Sequence, residues 1–269
     1  VGLFKIAFIG GGNMGAAMAA AVIKNNLADA SDVSVSDVSV ERLETLKSEM
    51  GVYTTQSNLE AALRGEIIVL AVKPQILDGV MAELSGKLHP KSLVFSVVAG
   101  RKLAALEAGL RHQAIVRAMP NTPAQIGKGM TVWTATRDVT PSQRTHVEAL
   151  VCVMGRAIYT GYEHFLDLAT ALSGSGPAYV FLFLESLITG AVELGMPDEM
   201  AKKLAFQTLI GAAEYARESD KSLDELRRNV TSPGGTTAEA LKVFDEADFS
   251  GIVRRAEAAA YKRAQELGA

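Results

Sequence analysis

The segment Lys5–Gly15, KIAFIGGGNMG, constrains this chain more than any other. A short apolar run over Lys5–Gly10 breaks on three glycines and resumes as an alanine-rich helical pattern over Asn13–Asn25. Gly10, Gly12 and Gly15 have the G-x-G-x-x-G spacing, with Asn13 and Met14 inside it. Glycine-rich turns are common, so spacing alone decides little. Position decides more: the glycines follow a strand and open a helix, and Asp37 lies 22 residues past Gly15 at the end of the next strand. Together these form the full dinucleotide fingerprint. The backbone amides of the helix N-terminus meet the pyrophosphate, and the carboxylate meets the adenosine ribose. A carboxylate also suits a free 2′-hydroxyl and repels a 2′-phosphate. Asp37 therefore favours NADH over NADPH, unless the loop brings Arg42 alongside.

The same alternation continues through the first 160 residues. Val33–Asp37 reads as a strand, Val40–Met50 as a helix ended by Gly51, and Ser57–Glu60 has capping-box spacing ahead of a short helix. Ile67–Val72 is apolar at every position, as a strand buried on both faces must be. Ser92–Val98, Ala114–Met119, Thr131–Ala135 and Arg156–Thr160 repeat the strand pattern, with a helix starting near Pro141. Strands separated by helix-length crossovers predict an α/β doubly wound sheet of Rossmann type over residues 1–162. After Tyr162 the strand signals stop, and residues 163–269 read as an all-α second domain. Its stretch Ala178–Leu184 is apolar all round and must be covered on every side. About 105 residues rarely achieve that alone, so the pattern predicts packing against a second copy of the chain. Pro197 opens a helix over Asp198–Glu218, capping-box spacings recur at Ser222–Glu225 and Thr236–Glu239, and the last helix runs from about Gly251 to Leu267.

Composition narrows the function classes. The chain has 269 residues, 48% of them apolar and 21% charged, with a net charge of −3 and no run of like charges. That argues against a nucleic-acid groove or a polybasic membrane patch. The single cysteine, Cys152, excludes an internal disulfide and a multi-cysteine zinc site. His89, His112, His146 and His164 show no metal-ligand spacing, so no metal is expected. The apolar run Ile6–Ile23 is cut by Gly10–Asn13, and neither half reaches the ~20 residues of a membrane span. A soluble, cytoplasmic protein is expected. Val1 in place of a methionine reads as a trimmed or partial chain.

Other unusual peptides fall at the C-terminal ends of strands, where open α/β sheets bind ligands. They are Ala71-Val72-Lys73-Pro74, Ala99-Gly100 and Met119-Pro120-Asn121-Thr122-Pro123. Lys73 is the one basic group among them and either touches a phosphate or ribose or is an ordinary surface lysine. In the second half, Thr231-Ser232-Pro233-Gly234-Gly235-Thr236-Thr237 bares backbone ahead of a helix. It is either a flexible helix cap or a carboxylate-holding loop with hydroxyls alongside. Ser173-Gly174-Ser175-Gly176-Pro177 is likewise a helix entry or a second ligand loop. No His–acid dyad, nucleophile elbow or carboxylate pair is recognisable. A hydride-transfer enzyme without an obvious proton donor suits a substrate that is already cationic, such as a protonated imine.

Five peptides in order carry a family resemblance: IGGGNM (Ile9–Met14), AVKPQ (Ala71–Gln75), VRAMPNTP (Val116–Pro123), LSGSGPAYVF (Leu172–Phe181) and NVTSPGGTT (Asn229–Thr237). Across essentially its whole length the chain resembles pyrroline-5-carboxylate reductase. The resemblance implies hydride transfer from NADPH or NADH to the C=N carbon of a cyclic imino acid, giving L-proline in the last step of proline biosynthesis. It further implies a homodimer that interlocks through the helical domain, each site drawing Ser232–Thr237 from the partner, and possibly a pentamer of dimers. On that footing Ser232, Gly234, Gly235, Thr236 and Thr237 hold the substrate carboxylate, and the Thr237 hydroxyl meets the ring nitrogen as the catalytic group. Ser175 joins the substrate set, Met119, Pro120 and Asn121 border the nicotinamide, and Asn58, Lys73 and Asn229 contact the cofactor. The family varies at position 37, so cofactor preference does not carry over.

Two rival readings share the fingerprint. A dehydrogenase of the β-hydroxyacid type should carry a catalytic lysine soon after its inter-domain glycines, yet Gly174–Glu185 contains none. A non-catalytic dinucleotide sensor has no reason to keep the Ser232–Thr237 loop.

Overall fold

The computed structural model describes residues 4–268; Val1, on which the trimmed-chain reading rests, lies outside them. The first half runs β1 (Ile6–Ile9), α1 (Asn13–Lys24), β2 (Val33–Ser36), α2 (Val40–Met50), β3 (Tyr53–Thr55), α3 (Asn58–Ala62) and β4 (Ile67–Leu70). It continues with α4 (Leu77–Leu84), β5 (Leu93–Ser96), α5 (Leu103–Leu110), β6 (Ile115–Met119), β7 (Gly129–Ala135), α6 (Pro141–Cys152) and β8 (Gly155–Tyr159). The eight strands form one sheet in the order β3-β2-β1-β4-β5-β6-β7-β8. From β3 to β6 all pairs are parallel, and strand order reverses between β1 and β4. That reversal opens a crevice at the C-terminal ends of the strands, the ligand position of open α/β sheets.

Every residue of β1, β2, β4 and β5 is buried, because helices cover both faces. Side chains alternate between two cores: Phe8, Val69 and Phe95 pack with Met18 and Trp133, whereas Ile9, Ile68 and Leu70 pack with Leu77, Leu84 and Leu110. The sheet departs from the expected doubly wound form at one point. β7 runs antiparallel to β6. The link between them is nine residues with a single 3₁₀ turn, Thr122–Ile126, too short for the dozen-residue crossover a parallel neighbour needs. β8 then pairs parallel with β7 through α6.

The second half is helical, as expected: α7 (His164–Ala169), a π turn over Thr170–Gly174, α8 (Gly176–Glu193), α9 (Asp198–Glu218), α10 (Leu223–Asn229), α11 (Thr236–Glu246) and α12 (Phe249–Leu267). The described residues form two compact units. One holds those up to Ser175 together with those from Ala260 onward; the other is Gly176–Ala259. The first unit thus takes in α7 and the end of α12, which lie beyond the 162/163 boundary drawn from sequence.

Arg117 joins β6 to α7 inside the first unit. Its guanidinium, 3% exposed, reaches Glu163 at 3.0 Å and Asp167 at 2.7 Å. The Leu103 amide at the start of α5 donates to the same Glu163 oxygen at 2.7 Å. In the second unit α8 buries only Leu184, leaving Phe181 57% and Leu182 64% exposed. The run His164–Glu193 is long and apolar enough to cross a membrane by length and composition alone.

Candidate dinucleotide and substrate site

The three fingerprint glycines have three different physical reasons. Gly10 sits at φ +105°, a conformation that side chains rarely adopt, and a Cβ there would stand 2.8 Å from the Ala71 carbonyl oxygen. Gly15 presses α1 onto the turn so closely that a Cβ would come 2.0 Å from the Gly10 carbonyl oxygen. Gly12, the N-cap of α1, has nothing within 4 Å of a would-be Cβ, and no side chain caps the helix. The amides of Asn13 and Met14 belong to the first turn, which has no intrahelical acceptors. The result is a bare, exposed helix N-terminus, the geometry that receives a pyrophosphate.

Asp37 lies beside this turn, but its carboxylate is committed to backbone. The Gly11 amide donates to Oδ2 at 2.9 Å and the Ser39 amide to Oδ1 at 3.0 Å. The carbonyl of Gly11 accepts from Arg42 Nε at 2.7 Å, so one peptide residue is gripped from both ends.

The other sequence-predicted residues of the first unit line the same sheet edge. Ala71, Val72, Lys73 and Pro74 leave β4, with Lys73 exposed and Pro74 starting a 3₁₀ turn. Ala99 and Gly100 leave β5; Gly100 is at φ +81°, with the backbone of Leu267 2.7 Å from where its Cβ would stand. Asn58 opens α3, and its side chain bridges the Ser36 hydroxyl (2.9 Å) and Glu83 (2.8 Å). Met119 and Pro120 end β6, where the Met119 Cε lies 2.8 Å from a would-be Cβ of Gly174. Asn121 is a clamp: Nδ2 donates to the Ser173 carbonyl (3.0 Å) and Oδ1 accepts the Met130 amide (2.8 Å). It thereby ties the antiparallel turn to the π turn that precedes Ser175. Among the described residues no cluster of three or more His, Cys, Asp or Glu could hold a metal ion.

In the helical unit, Asn229 ends α10, the loop to α11 carries Ser232, Gly234 and Gly235, and Thr236 and Thr237 open α11. Gly234 is at φ +69° with open space around it, and Gly235 is the N-cap of α11. The capping-box spacing of Thr236–Glu239 is not realised, because the helix starts one residue too early for Thr236 to cap it. The first-turn amides of Thr236 and Thr237 therefore face outward from a glycine cap without a side-chain competitor. Such a terminus accepts a small carboxylate.

Comparison with known proteins places this arrangement. Residues 163–267 match the family model for pyrroline-5-carboxylate reductase dimerisation, and residues 5–100 match the model for NADP oxidoreductase, coenzyme F420-dependent. A pyrroline-5-carboxylate reductase of Synechocystis is 39% identical over 98% of both chains, and that of Pseudomonas aeruginosa is 38% identical over 98% of this chain and 96% of its own. The chain belongs to the pyrroline-5-carboxylate reductase family. Among solved structures, the reductase of Coxiella burnetii superposes with a TM-score of 0.88 at 39% identity, covering 99% of each chain. That of Plasmodium falciparum, with NADP bound, superposes with 0.92 at 32% identity, covering 99% of this chain and 98% of that one. The run His164–Glu193 that could span a membrane by composition falls within the match to the reductase dimerisation model.

Three elements of the site were not foreseen. The Arg117–Glu163–Asp167 cluster, the Asn121–Ser173 bond of the clamp and the Asn58 bridge all join residues 22–52 positions apart. A lone arginine inside an otherwise apolar strand, Ile115–Met119, was the one available signal, since a buried cation requires carboxylates nearby.

Proposed function

We infer that this chain reduces 1-pyrroline-5-carboxylate to L-proline with NAD(P)H. The observation that carries the reading is family membership over 98% of both chains, joined to an intact dinucleotide turn and an uncapped anion-accepting helix. Gly10, Gly12, Asn13, Met14 and Gly15 hold the pyrophosphate. Asp37, Asn58, Ala71, Val72, Lys73, Pro74, Ala99, Gly100 and Asn229 complete the cofactor's surroundings. Bound there, the reduced nicotinamide supplies the hydride. Ser232, Gly234, Gly235 and Thr236 hold the imino-acid carboxylate, with Ser175 alongside and Met119, Pro120 and Asn121 at the border of the reacting ring. The Thr237 hydroxyl meets the ring nitrogen. That nitrogen is basic enough to arrive protonated, so orientation is the chief demand on the protein.

The chain assembles through its helical half. We place the functional boundary at 162/163, supported by the dimerisation match that starts at residue 163. The finer reading is a homodimer in the cytoplasm in which each site takes Ser232–Thr237 from the partner, with a pentamer of dimers as the larger assembly. Neither a nucleic acid nor a membrane is a partner. The test is loss of reduced-nicotinamide absorbance with 1-pyrroline-5-carboxylate, run with NADH and NADPH in parallel. Rapid loss with either supports the reductase; no loss in a folded sample that still binds dinucleotide overturns it.

A further inference from the structure

Arg42 occupies an unusual place for a cation. It is the third residue of α2, behind the Ser39 N-cap, whose hydroxyl accepts the Arg42 amide at 3.2 Å. Helix N-termini favour acids, so an arginine there works against the local dipole. Sequence choices that break a local rule concentrate at functional sites. The half-buried Arg42 side chain turns back to the glycine turn, and Nε donates to the Gly11 carbonyl at 2.7 Å. Asp37 binds the amide of that same residue. The two opposite charges share Gly11 without forming an ion pair with each other. No ion pair to Arg42 is found among the described residues, so its two Nη groups, the forked edge that recognises phosphate, are not spent on a carboxylate.

We propose that Arg42 selects the 2′-phosphorylated dinucleotide, while Asp37 braces the glycine turn rather than reading the ribose. Each Asp37 oxygen already accepts one backbone amide, and the guanidinium on the same residue offsets the carboxylate's charge. An arginine beside the acidic position accommodates a 2′-phosphate in dinucleotide folds generally. The expected preference is therefore NADPH, the opposite of what Asp37 alone predicts. The assignment rests on the reductase reading only for the hydride acceptor; the adenosine end can be tested without one.

Calorimetric titration of the full chain with adenosine 2′,5′-bisphosphate and with AMP separates the two. The bisphosphate should bind at least tenfold more tightly than AMP. In Arg42→Gln that advantage should disappear, and the NADPH-to-NADH ratio of kcat/KM should fall at least tenfold. Arg42→Lys, which keeps the charge but loses the fork, should recover part of it. Equal binding of the two probes to the wild-type chain, or equal weakening of both in Arg42→Gln, would overturn the proposal. The wild-type comparison stands even if a variant fails to fold. Retained discrimination between the probes with no turnover of the imine would sink the substrate reading and leave Arg42's role standing.

Discussion

Gly12 and Gly15 sit three residues apart in one motif, yet their substitutions should fail differently. Gly15→Ala drives a methyl into the Gly10 carbonyl, so it should cost about 1–3 kcal/mol of stability and abolish dinucleotide binding. Gly12→Ala has open space and an ordinary φ of −66°, so its melting temperature should match the wild type. On the proposed pyrophosphate position its methyl stands in the way, so dinucleotide affinity should drop at least tenfold. Thermal melts paired with fluorescence titration of NADPH distinguish the two. Thr237→Ala should lower kcat/KM for the imine by about ten- to a hundredfold through lost orientation, with dinucleotide affinity unchanged; wild-type kcat/KM would remove the hydroxyl from the mechanism. The glycines were legible in sequence because their reasons are local: one turn, one helix start, one close crossing. Asn121 was not, because its clamp to Ser173 and Met130 exists only once β7 has folded back and the π turn has formed.

At the scale of elements, β3 shows what a short pattern conceals. Tyr53–Thr55 is three residues at the sheet edge, below the length at which alternation can be read. Its neighbour Glu60 explains another miss. Ser57 caps α3 by accepting the Glu60 amide, but the Glu60 side chain turns to the hydroxyls of Thr55 and Tyr53 and leaves the box half made. Ser222–Glu225 does form the reciprocal box. The Ser222 amide, and then its hydroxyl, hold the Glu225 carboxyl below the ordinary 4.5. A lowered carboxyl in the folded chain means the box contributes fully above the unfolded value and is lost as pH falls through the folded one. Protection of the α10 amides, measured against their intrinsic exchange rates, should therefore fall on acidification below about pH 4.5 in the wild type. In Ser222→Ala that pH step should be absent. Arg117 sets the tie between β6 and α7. Arg117→Met strands two carboxylates, 29% and 11% exposed at their side chains, and should cost about 3–5 kcal/mol in urea unfolding. Adding Glu163→Gln and Asp167→Asn should restore part of that loss.

Across the whole molecule, the apolar face of α8 was legible as a demand for a partner, since no periodicity offered Phe181 or Leu182 a polar side. Phe181→Asp should therefore shift sedimentation towards the monomer and remove activity, whereas the wild type should sediment as a dimer or a multiple of one. The inclusion of α12's last two turns in the first unit was not legible, because helical periodicity names a face but not what it meets. The order of the sheet carries a further consequence, for the chain as it is made. β1 is a central strand, and its second neighbour β4 follows 61 residues later. At ~5–20 residues per second of synthesis, β1 waits about 3–12 seconds after its own appearance before β4 exists to cover it. During that interval IAFI offers an unsatisfied edge of wholly apolar residues to anything nearby. The nucleotide cannot shorten the wait, because the Gly10 turn leans on Ala71, which is made after β4. The nascent chain passes its most adhesive moment before its cofactor pocket has walls.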